Sequence, residues 1–332
     1  MTRDPILVVV LLAALLLALL PANAQVRLNV ATLAPEGSIW MQALNDAKAE
    51  IETATANAVR VRIYPGGIMG SERDVLSKIR MGQLHGGGFM GYAIGVICPD
   101  ADALMFPMAL RNYEEVDAAL DGMREILDES ARANGFEAMG WTEVGFSYAY
   151  GTKPVASLSD LRGTRVWGLD SPTMMELFSA GNVATIPANV TDVLPALQTG
   201  ALETVFGPPT AAVAVQWHTR VRYYNEMRLT YSIGGVFLSA AGWRMIPPQH
   251  QAVVQEAFDK HCRLLTPKVR KSDLEALAFM REQGVQPVPE TDGVRADFER
   301  IATIAIEKVK GRTFSVKAWD RLQEIVRGLR DS

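Results

Sequence analysis

Cysteine and histidine are scarce in this chain, and that scarcity excludes much of metal and redox chemistry. Only two cysteines occur, Cys98 and Cys262, 164 positions apart. They form neither a metal-ligand spacing nor a disulfide framework; two buried thiols and one long-range disulfide both stay open. The four histidines are scattered. Cations are not in excess: Lys+Arg number 33 against Asp+Glu 37, a net charge of −4, so there is no basic excess to hold a nucleic-acid backbone. Gly86-Gly87-Gly88 lacks the Lys-Ser/Thr that completes a phosphate loop and reads as a close-packed strand end. No Gly-x-Ser-x-Gly elbow and no low-complexity linker occurs. The expectation is no catalytic residue, no metal and no cofactor.

What is present is apolar material in quantity. The chain is 48% hydrophobic and 21% charged over 332 residues, too apolar for disorder and too charged for a multi-span membrane protein. Ile6–Leu20 is an unbroken run of 15 apolar residues behind Arg3. As a helix it spans about 22 Å, short of a ~30 Å bilayer core. Pro21 ends it, and Ala22-Asn23-Ala24 supplies a small-x-small cleavage pattern. Residues 1–24 are therefore expected to be an export signal. The mature chain then starts at Gln25 in the bacterial periplasm, with no membrane-spanning segment.

Periodicity places the elements. Val26, Leu28 and Val30 alternate as a strand, and Ser38 caps a helix carrying Met41, Leu44, Ala47 and Ile51. Val59, Val61 and Ile63 alternate again, Ser71 and Asp74 form a capping pair, and Leu84–Met90 returns as a strand. Asn112 caps a long helix, with Phe136–Trp141 and Ser147–Tyr150 strand-like after it. A second unit follows: Thr164–Gly168, a Ser171-Pro172 helix start, Val183–Ile186, Thr191–Thr199 and Glu203–Phe206. Leu229–Ala240 reads as a strand leading back. Residues 249–283 read as helix disturbed at Pro267, before two amphipathic helices near Val294–Lys310 and Val316–Leu329. The fold class is α/β, with largely parallel pairing. Its expected domains are a first lobe (25–150 plus about 238–285), a second lobe (151–237), and C-terminal helices (286–332) packed across both. Lobes joined by strands imply a hinge, and the cleft between them is where small ligands bind.

Four ordered motifs carry a resemblance. They are Tyr64-Pro65-Gly66-Gly67 with Gly70; Arg80-Met81-Gly82-Gln83-Leu84; Lys153-Pro154 followed by Leu158-Ser159-Asp160-Leu161-Arg162-Gly163-Thr164-Arg165-Val166-Trp167; and Asp192–Glu203. Together they resemble the solute-binding proteins of tripartite ATP-independent periplasmic (TRAP) transporters, of the C4-dicarboxylate type, over about Arg27–Asp259. The resemblance implies a two-lobed periplasmic binding protein that is not an enzyme. It would hand a small organic solute to membrane subunits driven by an ion gradient. A sensory receptor is the alternative; a periplasmic hydrolase or lyase lacks a nucleophile–His–carboxylate set.

The departures from the family pattern bear on the solute. Trp167 stands where most members carry an arginine that forks onto the ligand carboxylate, and Gly207 stands where an asparagine reaches it. A carboxylate buried without its cation costs several kcal/mol, so a small dicarboxylate is a poor candidate. Aromatic surface replaces the charge, which points to a solute with apolar or aromatic surface such as a monocarboxylate. The candidate binding residues are Trp167, Phe206, Gly207, Trp141, Glu143, Trp40, Met90, Arg165 and Trp217. Arg165, two before Trp167, is a substitute cation if both lie on one strand face. Trp141 and Glu143 are expected at a strand end facing the cleft.

Expression of the full chain in a bacterium tests the export signal. The soluble form released from the periplasm should have the intact mass of residues 25–332; a mass including residues 1–24 would contradict cleavage.

Overall fold

The computed structural model describes residues 25–168 and 171–331; the export-signal expectation lies outside them. The chain opens with β1 (Val26–Thr32), α1 (Ile39–Ala54), β2 (Val59–Tyr64), α2 (Glu72–Arg80), β3 (Gly86–Met90) and α3 (Tyr92–Ile97). Then come α4 (Tyr113–Ala133), β4 (Phe136–Gly151), α5 (Leu158–Arg162), β5 (Val166–Gly168), α6 (Pro172–Ala180), β6 (Thr185–Pro187), α7 (Val190–Thr199) and β7 (Thr204–Gly207). The remainder is α8 (Pro209–Ala214), β8 (Tyr223–Asn225), β9 (Thr230–Ser239), α9 (Ala240–Met245), α10 (Pro248–Glu282), β10 (Gln286–Val288), α11 (Asp292–Val309) and α12 (Val316–Arg330).

The helix starts follow from local chemistry. Ser38 Oγ accepts from Met41 N at α1, and Ser71 with Asp74 closes a reciprocal capping box at α2. Asn112 caps α4 by accepting from Glu115 N.

The strand order is β2-β1-β3-β9-β4-β7-β5-β6, with β8 on β4 and β10 on β8. β1 runs parallel to β2 and β3, and β5 runs parallel to β6 and β7. Between these two parallel ladders β4 and β9 pair antiparallel over most of their length. The sheet is therefore mixed where largely parallel pairing was expected, because the crossing strands oppose their neighbours on both sides. β4 is one strand of 16 residues, roughly 50 Å at ~3.3 Å per residue, where two separate strands were expected.

Side chains alternate across this sheet into two cores. On β9, Val236 and Leu238 join α1 and α10 in one apolar cluster, while Phe237 enters the other. On β4, the register shift between Ala138 and Gly140 breaks the alternation, so Met139 goes to the first cluster and Trp141 to the second. Cys98 and Cys262 are buried free thiols in different clusters, each pushed up to about 12 by burial.

α10 continues through Pro267, where a disturbance was expected, without ending there. An interior proline costs about 3 kcal/mol. Each fully buried large apolar side chain contributes ~1.5–3 kcal/mol, and Phe258, Leu265, Val269 and Met280 are all buried along this helix. Packing outweighs the proline. The C-terminal helices divide: α11 packs on α6, α12 on α4.

Gly140 lets α10 lie against β4. A Cβ there would sit 2.8 Å from Cys262 Sγ and 2.9 Å from the Phe258 carbonyl oxygen. Gly140→Ala is expected to cost ~1–3 kcal/mol by overpacking, read as a lower urea midpoint at unchanged m-value. An unchanged midpoint would show that the helix can back away freely.

Candidate functional site

The C-terminal ends of parallel strands are where α/β sheets present their ligand sites, and both ladders carry apolar side chains there. In the first ladder Leu33 follows β1, Ile68 follows β2 and Tyr92 follows β3, and all three are exposed. In the second, exposed Ile186 lies on β6 and exposed Val190 opens α7.

Trp40 and Met90 belong to the first group. Trp40 sits in the first turn of α1 and packs on β9; a Cβ at Gly234 would come within 2.7 Å of its ring. Met90 ends β3, half-buried, and its N–H donates to Glu72 Oε1 at 2.8 Å. Ala93 N donates to the other oxygen of the same carboxylate at 2.9 Å. Burial pushes Glu72 up to about 7 against the pull of those two donors. Glu72 thus pins the turn after β3. The capping box beside it signals a helix start, but nothing local signals this reach of 18 residues.

Trp167, Trp217 and Gly207 make the second group. Trp167 is buried in β5, its indole N–H donating to the Ala188 carbonyl at 3.0 Å. Trp217 meets it edge to face, ring centroids 5.4 Å apart at 79°, the geometry that aromatic quadrupoles favour. A Cβ on Gly207 would lie 3.2 Å from the Trp217 ring. Trp217 is 2% exposed, and its indole Nε1 is buried without an acceptor. Such a donor normally costs about 1–3 kcal/mol. The segment 209–219 consists of α8 and a 3-10 turn from Trp217 to Thr219, with Gln216 at φ +61 between them.

The other expected site residues lie elsewhere. Phe206 points opposite to Gly207 and packs on Phe178, centroids 5.3 Å apart. Arg165, one residue before β5, is exposed where Trp167 is buried. Its guanidinium bonds the Gly200 carbonyl and pairs with Glu203 at 3.2 Å. Trp141 and Glu143 are not at a strand end, because β4 continues to Gly151. The Trp141 N–H donates to Asp128 at 2.8 Å while its ring meets Phe237 edge on. Glu143 is fully buried: Arg270 Nε donates to it at 2.9 Å and the Tyr231 hydroxyl at 3.1 Å. Arg270 also pairs with Asp117 of α4.

One turn further along α10, Asp273 accepts from Thr210 N at 3.1 Å and from the Thr210 hydroxyl. It thereby holds the first turn of α8, the segment leading to Trp217. Among the described residues no group of three or more His, Cys, Asp or Glu could hold a metal, and no helix is long and apolar enough to cross a membrane.

This architecture is that of TRAP periplasmic solute-binding proteins. A crystal structure of one from Ochrobactrum anthropi matches with a TM-score of 0.84 at 20% identity, covering 93% of this chain and 97% of that one. One from Desulfovibrio salexigens with bound orotic acid matches at 0.82 and 17% identity, over 92% and 99%. The sialic acid-binding periplasmic protein SiaP of Vibrio cholerae is 20% identical over 284 residues, 81% of this chain and 86% of that protein. Residues 30–311 match the model of bacterial extracellular solute-binding protein family 7, DctP, and the chain belongs to that family. Its members are non-enzymatic receptors of TRAP-type transport, and its relatives bind small organic acids.

Burial, opposed by the two Thr210 bonds, pushes Asp273 up to about 6. The native state then keeps a proton that the unfolded chain releases near pH 4, so this group's stabilisation is full below pH 4 and is lost as pH rises to about 6. Asp273→Asn retains an acceptor for Thr210 and removes the titration. Relative to wild type, the variant should gain on the order of 2 kcal/mol between pH 4 and 7, followed by urea denaturation across that range. A difference that does not change with pH would contradict the shift.

Proposed function

We propose that this protein is a periplasmic receptor that captures a small organic acid with apolar or aromatic surface and delivers it to an ion-gradient-driven TRAP membrane transporter. The two parallel ladders are the centres of its lobes, the first from 25–150 plus about 238–285 and the second from 151–237, with residues 286–332 packed across them. The solute lies between the strand ends, and β4, β9 and α10 form the joint about which the lobes close.

The observation that carries this reading is the Trp167–Trp217 pair beside Gly207. The resemblance puts a carboxylate-reading arginine and an asparagine at positions 167 and 207; an indole and a bare backbone replace them. Every 100 Å² of apolar solute covered contributes roughly 2.5 kcal/mol at ~25 cal/mol per Å². A good aromatic contact adds ~0.5–1.5 kcal/mol. A second carboxylate without its cation loses several kcal/mol. Apolar contact therefore outweighs charge pairing, and a monocarboxylate is favoured over a dicarboxylate. Trp217 Nε1 offers the donor for one oxygen of that solute. The orotic acid held by the Desulfovibrio salexigens relative is a planar acid of this kind.

Trp167→Arg tests the exchange. By calorimetry the variant should bind benzoate-type aromatic acids at least tenfold more weakly than wild type and gain measurable affinity for succinate. Unchanged affinities for both would remove position 167 from the site.

A further inference from the structure

A cavity of about 290 Å³ opens at the joint, with no wall in common with the tryptophan pair. Four arginines line it. Arg111 precedes α4, Arg228 lies in the link between β8 and β9, Arg281 is near the end of α10, and Arg295 is in the first turns of α11. The walls thus come from segments that both ladders and the long helix anchor.

Three of these cations have carboxylate partners. Arg111 pairs with Glu299 at 2.5 Å, Arg281 with Glu226 at 3.4 Å, and Arg295 with Glu290. Arg228 has none among the described residues. It donates to the Tyr148 hydroxyl at 3.4 Å and to the Arg111 carbonyl at 3.3 Å, and lies over the Tyr113 and Phe146 rings. Four guanidinium charges against three carboxylates leave one positive charge facing the cavity. Arg228 is half-buried and held in place by two aromatic faces, so little side-chain freedom is lost when an anion arrives. Arginine presents paired donors that match a carboxylate. Leu274 and Leu277 of α10 supply apolar lining to the same cavity.

We propose that this cavity is a second ligand site, for a small organic monocarboxylate whose charged end pairs with Arg228 and whose apolar body lies on Leu274 and Leu277. It goes beyond the receptor reading and does not depend on which solute the strand-end site takes.

Crystals of the mature chain soaked with 4-bromobenzoate locate the ligand by bromine anomalous scattering, and calorimetry with the same acid gives its affinity. The expected result is a bromine peak over Leu274 and Leu277 with the carboxylate on Arg228. Binding at this site should weaken at least tenfold in Arg228→Gln and in Leu274→Glu, with partial recovery in Arg228→Lys. Leu274 is 66% exposed, so its variant keeps the fold if Arg228→Gln does not. Bromine only at the tryptophan pair would overturn this site and leave the receptor reading intact. No bromine anywhere, or affinity unchanged in both variants, would overturn it as well.

Discussion

A single turn of α10 ties β4, α4 and α8 to the long helix. Arg270 reaches Glu143 on the crossing strand β4 and Asp117 on α4, and three residues later Asp273 takes the first turn of α8. Glu143 and Asp273 are both buried: removing one partner of the Glu143–Arg270 ion pair costs about 3–5 kcal/mol, and losing a Thr210 hydrogen bond to Asp273 costs about 1.5–3 kcal/mol. The turn therefore sets where α10 lies over β4 and where α8 starts. From α8 the chain reaches Trp217, and Trp217 positions the face of Trp167. The tryptophan pair is thus placed through this latch.

The crossing strands explain why the latch is needed. β9 pairs with β3 of the first ladder, β4 with β7 of the second, and the two pair with each other, so the proposed rotation of one ladder against the other would be carried by these strands and by the long helix beside them. β4 carries register shifts between Ala138 and Gly140 and between Glu143 and Gly145. Gly145, at φ +109, lies so close to Asp273 that a Cβ there would meet its carboxylate. Irregular backbone and the latch coincide on β4.

Much of the fold was legible because its signals are local. Ser71 and Asp74 announce the start of α2, alternating valines announce β1 and β2, and Asn112 announces α4. The site was less legible, for reasons that can be named. Trp141 and Glu143 were expected at a strand end, but β4 runs on past them to Gly151 through two register shifts that no local pattern marks. Arg165 lies one residue outside β5, where the alternation rule no longer applies. β8 and β10 have three residues each, too few for a period to show. Glu72 acts on Met90 through a fold contact that no spacing encodes. Trp167 and Trp217 are 50 positions apart, and only the structure joins their rings.

Selection in this account rests on covered area and one indole donor in place of a fork of guanidinium donors. The most direct measurement is calorimetry of the mature wild-type chain against an aromatic monocarboxylate, a sugar acid and succinate at several temperatures. The account predicts that the aromatic monocarboxylate binds most tightly, with a negative heat-capacity change from apolar burial. Tightest binding of succinate or the sugar acid would contradict it.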